Sequence, residues 1–335
     1  MKKIIYFLLL FVSCPFYISY SQVKFEWVNN LLDCTPGKIL SDNFGNIYLT
    51  GSKLGPVSRI DMLFIKFTQT GSINWIQTFA DTISPFPSNQ NGAGNILFDD
   101  SSNIFLGGSR LWKYNNKGQL FWNVYPGLYR GFARVFFDAD YNFLTSMEFA
   151  NSSFLIRKYS YNGDSVWSRT FKPAGTIAAR WRGAVADSKD NIITAGYMNK
   201  NGIGDRYDYM TVKYSNAGEL SWANRYEDGV DNINSSIAID DSDNVYVTGG
   251  SEINNLNYNI VTLKYAPDGK VIWTRSFDGG AWDYGTDIEV DGDGNVYIVG
   301  AAVGYGAVLL KYDINGNFQW IRNHADISFS ANYPL

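Results

Sequence analysis

Histidine and cysteine are nearly absent from this sequence. Its 335 residues include one histidine, His324, and two cysteines, Cys14 and Cys34. Ser–His–Asp and Cys–His catalytic groups need a histidine, and zinc sites are built largely from these two residue types. The sequence therefore predicts no catalytic residue, no metal site and no cofactor.

Basic runs and long hydrophobic runs are also missing. With 28 basic and 32 acidic side chains the net charge is −4, which excludes a nucleic-acid binder. The main apolar stretch lies in "MKKIIYFLLLFVSCPFYISYSQ", where lysines precede it and small polar residues follow. This order predicts a signal peptide at residues 1–22, cleaved after Ser21 or Gln22, and no membrane span. The protein is then exported, to the medium or the cell surface; the alternative is a lipid anchor at Cys14.

Aromatic and turn-forming residues are abundant instead. Aromatics make up 16% of the chain, and there are 32 glycines. This composition is typical of short, packed strands. After cleavage only Cys34 remains, so no intramolecular disulfide is possible and stability must come from packing.

One short pattern, as in "MTVKYSNAGELSW" at 210–222, occurs six times. Lysine precedes tryptophan by nine residues, and glycine stands four before the tryptophan. We interpret the tryptophans as packing between repeats and the lysines as charges at strand edges. The copies are Lys66/Gly71/Trp75, Lys113/Gly118/Trp122, Lys158/Gly163/Trp167, Lys213/Gly218/Trp222, Lys264/Gly269/Trp273 and Lys311/Gly316/Trp320.

A second pattern, Asp followed four residues later by Asn, precedes each copy of the first. Both side chains bond nearby backbone, which predicts hairpin turns. One copy, "DGDGN" at 291–295, has the alternating acids of a calcium loop, but Val296 and Ala302 stand where that loop needs Gly and Glu. In five copies Gly follows five after the Asn, whereas the third has Met147. The pairs are Asp42/Asn46, Asp99/Asn103, Asp138/Asn142, Asp187/Asn191, Asp240/Asn244 and Asp291/Asn295.

Each repeat thus contains four short strands, and a four-stranded unit of about 50 residues has the period of a β-propeller blade. We predict an all-β fold, a β-propeller of four-stranded antiparallel blades with six complete repeats over residues 36–323. A seventh tryptophan, in "VKFEWVNN" at 23–30, predicts an orphan strand within residues 23–35. The ring then has six blades, or seven with one incomplete, and residues 324–335 form a C-terminal tail.

Two stretches resemble a known family. "IDDSDNVYVTGGS" (239–251) and "YNIVTLKYAPDGKVIWTRSF" (258–277) resemble the SBBP-type β-propeller repeat of exported proteins from Bacteroidetes-like bacteria. The resemblance implies the fold and no settled activity. "FSANYP" (329–334) is similar to the start of a type IX secretion sorting domain, which would make the tail a remnant of such a domain.

Loop length varies on one face of the predicted ring. The Asn-to-Lys interval, which spans the second loop, runs 20, 10, 16, 22, 20 and 16 residues, whereas the first and third turns keep their length. Rigid scaffolds carry binding residues on such loops. The loops are 52–61, 80–91, 197–208, 226–234 and 277–285. The predicted binding residues are Tyr129, Arg130, Trp181, Tyr197, Arg206, Tyr207, Asp231, Trp282, Asp283 and Tyr284.

Three functions are compatible with these patterns. The first is a monomeric, non-catalytic binding or scaffold module for a surface glycan or protein. The second is a carbohydrate-active lyase or hydrolase with carboxylate, Tyr and Arg groups at the ring axis. The third is the product of a truncated gene with no function of its own.

Overall fold

The computed structural model describes residues 34–54, 60–79, 95–107, 110–125, 129–138, 140–149, 153–174, 176, 178–199, 206–228, 231–254 and 257–324. All regular elements in these ranges are β-strands. None of the described segments forms a helix that is long and apolar enough to cross a membrane. The predicted signal peptide, most of the orphan strand and most of the tail lie outside the described residues.

Twenty-four strands form six antiparallel sheets of four consecutive strands each. Sheet 1 contains β1 (Cys34–Ser41), β2 (Ile47–Leu54), β3 (Ile60–Phe67) and β4 (Ile73–Phe79). Sheet 2 contains β5 (Asn95–Phe98), β6 (Ile104–Gly107), β7 (Leu111–Tyr114) and β8 (Leu120–Val124). Sheet 3 contains β9 (Tyr129–Phe137), β10 (Phe143–Phe149), β11 (Ser153–Tyr159) and β12 (Ser165–Phe171). Sheet 4 contains β13 (Ala179–Ala186), β14 (Ile192–Asn199), β15 (Tyr207–Tyr214) and β16 (Leu220–Tyr226). Sheet 5 contains β17 (Asp231–Ile239), β18 (Val245–Asn254), β19 (Asn257–Tyr265) and β20 (Val271–Phe277). Sheet 6 contains β21 (Tyr284–Val290), β22 (Val296–Ala302), β23 (Gly306–Tyr312) and β24 (Phe318–His324).

The hydrophobic core lies between successive sheets. Phe64 of sheet 1 packs with Ile104 of sheet 2, and Phe105 of sheet 2 packs with Phe143 of sheet 3. Three further clusters join sheets 3 and 4, sheets 4 and 5, and sheets 5 and 6. The first strand of each sheet contacts the first strand of the next, which places these inner strands nearest the axis. The predicted β-propeller of four-stranded blades is confirmed.

The Asp–Asn turns are hairpins closed by side chains. Asp240 Oδ1 accepts hydrogen bonds from the amides of Ser242 and Asn244, each at 2.9 Å, and Asn244 Nδ2 donates to Asp240 Oδ2 at 2.9 Å. Asp291 is bonded in the same way by Asp293 and Asn295, so the hairpin interpretation of 291–295 is confirmed. The residue before each Asn is left-handed, for example Asp243 at φ 64°, which Asp, Asn and Gly tolerate best.

The repeated tryptophans pack between sheets, as predicted. Trp222 of sheet 4 lies so close to Gly269 of sheet 5 that a Cβ on this glycine would stand 2.8 Å from the indole. Gly269 also needs its positive φ of 89°, so both turn geometry and contact require glycine there. Four other tryptophans meet the third-turn glycine of the next sheet in the same way: Trp75 and Gly118, Trp122 and Gly163, Trp167 and Gly218, and Trp273 and Gly316.

Five of the six repeated lysines are buried, so the interpretation of these five as edge charges is wrong; Lys311 is half-buried. Lys213 is 6% exposed and donates to the carbonyl of Pro267, two residues before Gly269 in the third turn of sheet 5. Trp222 Nε1 donates to the same carbonyl at 3.1 Å. We call this set, lysine and tryptophan of one sheet with the third turn of the next, the inter-sheet junction. The lysine bond to a backbone carbonyl recurs from Lys66 to Asn116, Lys113 to Tyr161 and Lys264 to Ile314, whereas Lys158 donates to the side-chain Oδ1 of Asn216.

In sheets 1, 4, 5 and 6 the glycine five residues after the Asn faces a β-bulge in the inner strand. In sheet 5, Asn234 pairs with Gly249 and Ser236 with Thr248, which leaves Ser235 as an extra residue. A Cβ on Gly249 would lie 2.2 Å from the carbonyl oxygen of Ile233, so only glycine fits. In the divergent third sheet, Ser146 pairs with Arg134 but Glu148 with Arg130, so three residues face Met147. The wider bulge there accompanies the missing glycine.

Candidate functional site

The sequences of the inner strands differ in charge from sheet to sheet. In sheets 3 and 4, β9 and β13 have four arginines and no acid. In sheet 6, β21 has two acids and no base. The β-bulge in an inner strand changes the direction of nearby side chains, and such bulges are frequent beside functional sites. The charged residues are Arg130 and Arg134 of β9, Arg180 and Arg182 of β13, Asp287 and Glu289 of β21, and Lys38 of β1.

Arg182 is the extra residue of the bulge in β13, because Trp181 pairs with Gly196 and Gly183 with Ala195. Its Nη2 donates to Tyr197 Oη at 2.9 Å, and its guanidinium carbon lies 5.1 Å from the centre of the Tyr197 ring. Its Nε is buried and donates to no group in the described part of the chain. Tyr197 thus holds a partly exposed guanidinium in place, and a positioned guanidinium suits an anionic group.

One predicted aromatic residue, Tyr197, contacts Arg182, and two others lie on the same sheet. Tyr197, predicted as an exposed contact, is 7% exposed and serves as the support under the guanidinium. Tyr207 meets it edge-to-face, with ring centres 5.0 Å apart, and is half-buried. Trp181 is half-buried and donates from Nε1 to Thr194 Oγ1. These three predicted residues therefore lie together on sheet 4.

A second aromatic group lies where sheets 5 and 6 meet. The ring of Trp282, which is 37% exposed, lies over Tyr258 with centres 4.8 Å apart. Tyr258 Oη donates to Asp231 Oδ2 at 2.8 Å, and the amide of Tyr207 donates to Asp231 Oδ1 at 2.8 Å. Asp231 is 7% exposed, and its carboxylate links sheet 5 to sheet 4 through these two hydrogen bonds.

Asp283 is fully buried beneath the loop between β20 and β21. Its carboxylate accepts bonds from the amides of Val303, at 3.0 Å, and Gly279. Burial raises the pKa of this carboxyl although these amides oppose the shift. Its neighbour Tyr284 is half-buried and lies so close to Gly250 that a Cβ there would stand 2.5 Å from the ring. Asp283 and Tyr284 therefore shape the loop that presents Trp282.

Two carboxylates stand on the inner strand of sheet 6. Burial, and then the negative charge of Asp287, raise the pKa of Glu289, while the charge of Lys38 opposes the rise. Asp287 Oδ1 accepts a bond from Ser236 Oγ of sheet 5 at 2.7 Å. Lys38 belongs to sheet 1, so the first and the sixth sheet are within electrostatic reach of each other.

The remaining predicted residues are less informative. Arg206 is exposed at the start of β15. Tyr129 and Arg130 lie on β9 opposite Phe149 and Glu148, and their side chains are outside the description. Loop residues 55–59, 80–91, 200–205 and 229–230 are also outside the described residues.

Sequence reasoning missed Arg182 and Tyr258, the two residues that organise these groups. Tyr258 could have been found only from its contact with Trp282, because tyrosine recurs throughout the strands. Arg182 had a sequence signal, since β13 places two arginines in an inner strand whose copies in sheets 5 and 6 have none.

The fold and these side chains define a class: a β-propeller with a mixed-charge inner ring and aromatic side chains on sheets 4 to 6. A solved structure of Drosophila Plexin A in complex with Semaphorin 1b is similar over 85% of this chain and 76% of that one, with TM-score 0.52 and 10% identity. The structure of Sqt1 from Chaetomium thermophilum is similar over 83% of this chain and 71% of that one, with TM-score 0.51 and 12% identity. The structure of a protein of unknown function from Bacteroides caccae matches over 83% of this chain and 93% of that one, with TM-score 0.44 and 14% identity.

At such identities the likeness extends to the fold alone. No protein-family model and no curated protein matches this chain. The SBBP-type resemblance, export and the sorting-domain remnant therefore stay predictions.

Proposed function

We propose that this protein is an exported, non-catalytic β-propeller that binds a surface glycan or protein through the face carrying its variable loops. The observation that carries the proposal is Arg182, a half-buried arginine whose guanidinium is held by the hydroxyl and the ring of Tyr197. An arginine fixed by an aromatic support loses little side-chain entropy on binding and suits carboxylate or sulfate groups.

Exposed aromatic surface supports the same proposal. Trp282 stands on Tyr258, and its indole is 37% exposed beside the polar loop of sheet 6. Large rigid side chains of this kind dominate binding energy at recognition surfaces. Acidic glycans offer both partners, a negative group for Arg182 and an apolar sugar face for an indole, so we favour them over proteins.

The test is a binding screen with the mature chain, residues 23–335, on immobilised acidic and neutral glycans and on cell-surface proteins. We expect binding to an acidic glycan that weakens at least about tenfold in Arg182→Gln and in Trp282→Ala. Phe44→Ala is the matched control, because Phe44 is 66% exposed in the first turn of sheet 1, at the opposite end of the strands.

Two results would overturn the proposal. One is turnover of a glycan by the purified protein that disappears in Glu289→Gln, which would indicate an enzyme using the carboxylates of β21. The other is binding that Phe44→Ala weakens as much as Trp282→Ala does.

A further inference from the structure

The two groups of the candidate site are joined by a continuous series of contacts. On sheet 4, Arg182 Nη2 donates to Tyr197 Oη at 2.9 Å. The Tyr197 ring meets the Tyr207 ring with centres 5.0 Å apart. The Tyr207 amide then donates to Asp231 Oδ1 at 2.8 Å, which carries the series to sheet 5. The Asp231 carboxylate is therefore the point at which the arginine group meets the second group.

On sheet 5 the same carboxylate reaches the tryptophan. Tyr258 Oη donates to Asp231 Oδ2 at 2.8 Å, and the Trp282 ring lies over the Tyr258 ring with centres 4.8 Å apart. Asp231 and Tyr258 both pair with Glu252, so their bond crosses the intervening strand β18. Two strand spacings amount to about 10 Å, a gap that the tyrosine hydroxyl closes and that a phenylalanine would leave open.

The backbone at Trp282 depends on Tyr258 as well. The Tyr258 amide donates to the Ala281 carbonyl at 2.7 Å, and the Asp283 amide donates to the Tyr258 carbonyl at 2.8 Å. These two bonds form a parallel β-bridge between Tyr258 and Trp282. Both the ring and the backbone of Tyr258 therefore determine where the Trp282 indole stands.

The middle of the series is buried and its two ends are not. Tyr197, Asp231 and Tyr258 are buried, whereas Trp282 is 37% exposed and Arg182 is half-buried. A buried carboxylate that loses a hydrogen bond keeps the cost of its desolvation, so its bonds are expensive to break. The accessible ends are thus held in place by groups that water does not reach.

We propose that Asp231 is a positioning residue that fixes Trp282 relative to Arg182, so that both contact one acidic chain of several sugar units. This inference rests on the proposed function and narrows its ligand. Arg182 belongs to sheet 4 and Trp282 to the link between sheets 5 and 6, and packed sheets lie about 10 Å apart. A single sugar ring is too short to contact both. A chain offers a carboxylate to the guanidinium and the face of another ring to the indole.

The positioning role is tested without ligand, by hydrogen exchange of the chain 23–335. Tyr258→Phe keeps the ring beneath Trp282 but removes the bond to Asp231. We expect the amides of Tyr258 and Asp283 to exchange at least about fivefold faster in this variant. The Tyr207 amide should keep its rate, because Asp231 Oδ1 still accepts its bond. Asp231→Ala should speed exchange of all three amides.

The matched control removes another tyrosine hydroxyl from a nearby aspartate. Tyr226 Oη donates to Asp228 Oδ2 at 3.0 Å, a bond between residues two positions apart that joins no sheets. Tyr226→Phe should therefore leave the amides of Tyr258 and Asp283 at their parental rates.

The ligand is tested with galacturonate and its oligomers, from the dimer to the hexamer. We expect affinity to rise at least about tenfold between the monomer and the length that reaches both residues. The loss of affinity caused by Trp282→Ala should become smaller in the Tyr258→Phe background, because a displaced indole contributes less.

Different results overturn the two parts of the inference. If Tyr258→Phe leaves the Tyr258 and Asp283 amides unchanged, or Tyr226→Phe speeds them equally, Asp231 is not a positioning residue, even where the oligomers bind. If the monomer binds as tightly as the hexamer, Arg182 and Trp282 do not share one chain. Absence of binding at every length would overturn the proposed ligand and its function, while the exchange rates still decide the role of Asp231.

Discussion

Lys213 Nζ lies 2.7 Å from Asp187 Oδ2 within sheet 4 and 3.2 Å from the carbonyl oxygen of Pro267 in sheet 5. The lysine side chain is 7% exposed and that of the aspartate 2%. The buried Lys213 ammonium therefore neutralises Asp187 in the first turn of its own sheet and hydrogen-bonds the third turn of the next sheet. Burial opposes ionisation of Asp187, but hydrogen bonds from Lys213 and Asn191 outweigh it and lower the pKa of this carboxyl.

Removal of this cation should be costly. Lys213→Met leaves Asp187 buried without its partner, so we expect the free energy of unfolding to fall by about 3–5 kcal/mol. Urea denaturation measures the change. The control is Lys270→Met, because the Lys270–Asp268 pair is 85% and 55% exposed and its loss should leave the urea midpoint unchanged. Equal effects of the two variants would mean that the junction lysine contributes no more than a surface charge.

The inner-strand bulge predicts which glycines tolerate a methyl group. Gly249→Ala places its Cβ 2.2 Å from the Ile233 carbonyl oxygen, so we expect a loss of about 1–3 kcal/mol in stability. Gly292→Ala meets no atom within 4 Å and should be neutral. Thermal unfolding of the two variants, each compared with the parent chain, decides this. A neutral Gly249→Ala would show that the inner strand shifts freely.

Lys113 should contribute stability that rises with pH on the alkaline side of neutrality. Burial lowers the pKa of Lys113 from 10.5 to about 8, with Asp99 opposing the shift. The unfolded chain then binds a proton that the folded chain has released, so this contribution increases between about pH 8 and 10. Buried tyrosines such as Tyr114, whose pKa burial raises, oppose it as the unfolded chain's tyrosines ionise near pH 10. Urea midpoints at pH 8, 9 and 9.8 measure this slope. We expect the slope to shrink in Lys113→Met, and an unchanged slope would contradict the assignment.

Acid should reduce the stability of the fold through turn aspartates such as Asp240. Burial alone would raise the pKa of Asp240, but hydrogen bonds from Asn244 and Tyr246 outweigh burial and lower this pKa below its ordinary 3.8. A lowered carboxyl pKa contributes stability that is present above about pH 4 and is lost as the pH falls through the folded value. Asp240→Asn should therefore flatten the decline of stability below pH 4, followed by circular dichroism at fixed urea concentration. The exposed Asp241→Asn serves as the control, and a decline of unchanged steepness in Asp240→Asn would refute this role.

Much of the fold was predictable because its signals are local. Asp and Asn four residues apart close one hairpin within a repeat, as Asp240 and Asn244 do, and their spacing is visible in the sequence. The role of tryptophan was predictable because six regularly placed indoles fit a core and not a single site. The number of blades was left open between six and seven, and the described residues contain six four-stranded sheets.

Contacts between repeats were not predictable from spacing. Lys213 reaches Pro267 across 54 positions of the chain, so nothing in the repeat itself indicates its partner. The same limit applies to the site. Asp231 was predicted as a ligand contact, yet its carboxylate is engaged by Tyr207 and Tyr258, whose approach depends on two different sheets. Which loop side chains remain accessible is decided by such tertiary bonds.

The uniform junction has a consequence for how this architecture changes over time. All six repeats carry the same lysine, tryptophan and third-turn glycine, so these three parts of the junction match between any two blades. Duplication or loss of a whole repeat would therefore keep these three residues at every remaining interface, while the other packing residues would have to adjust.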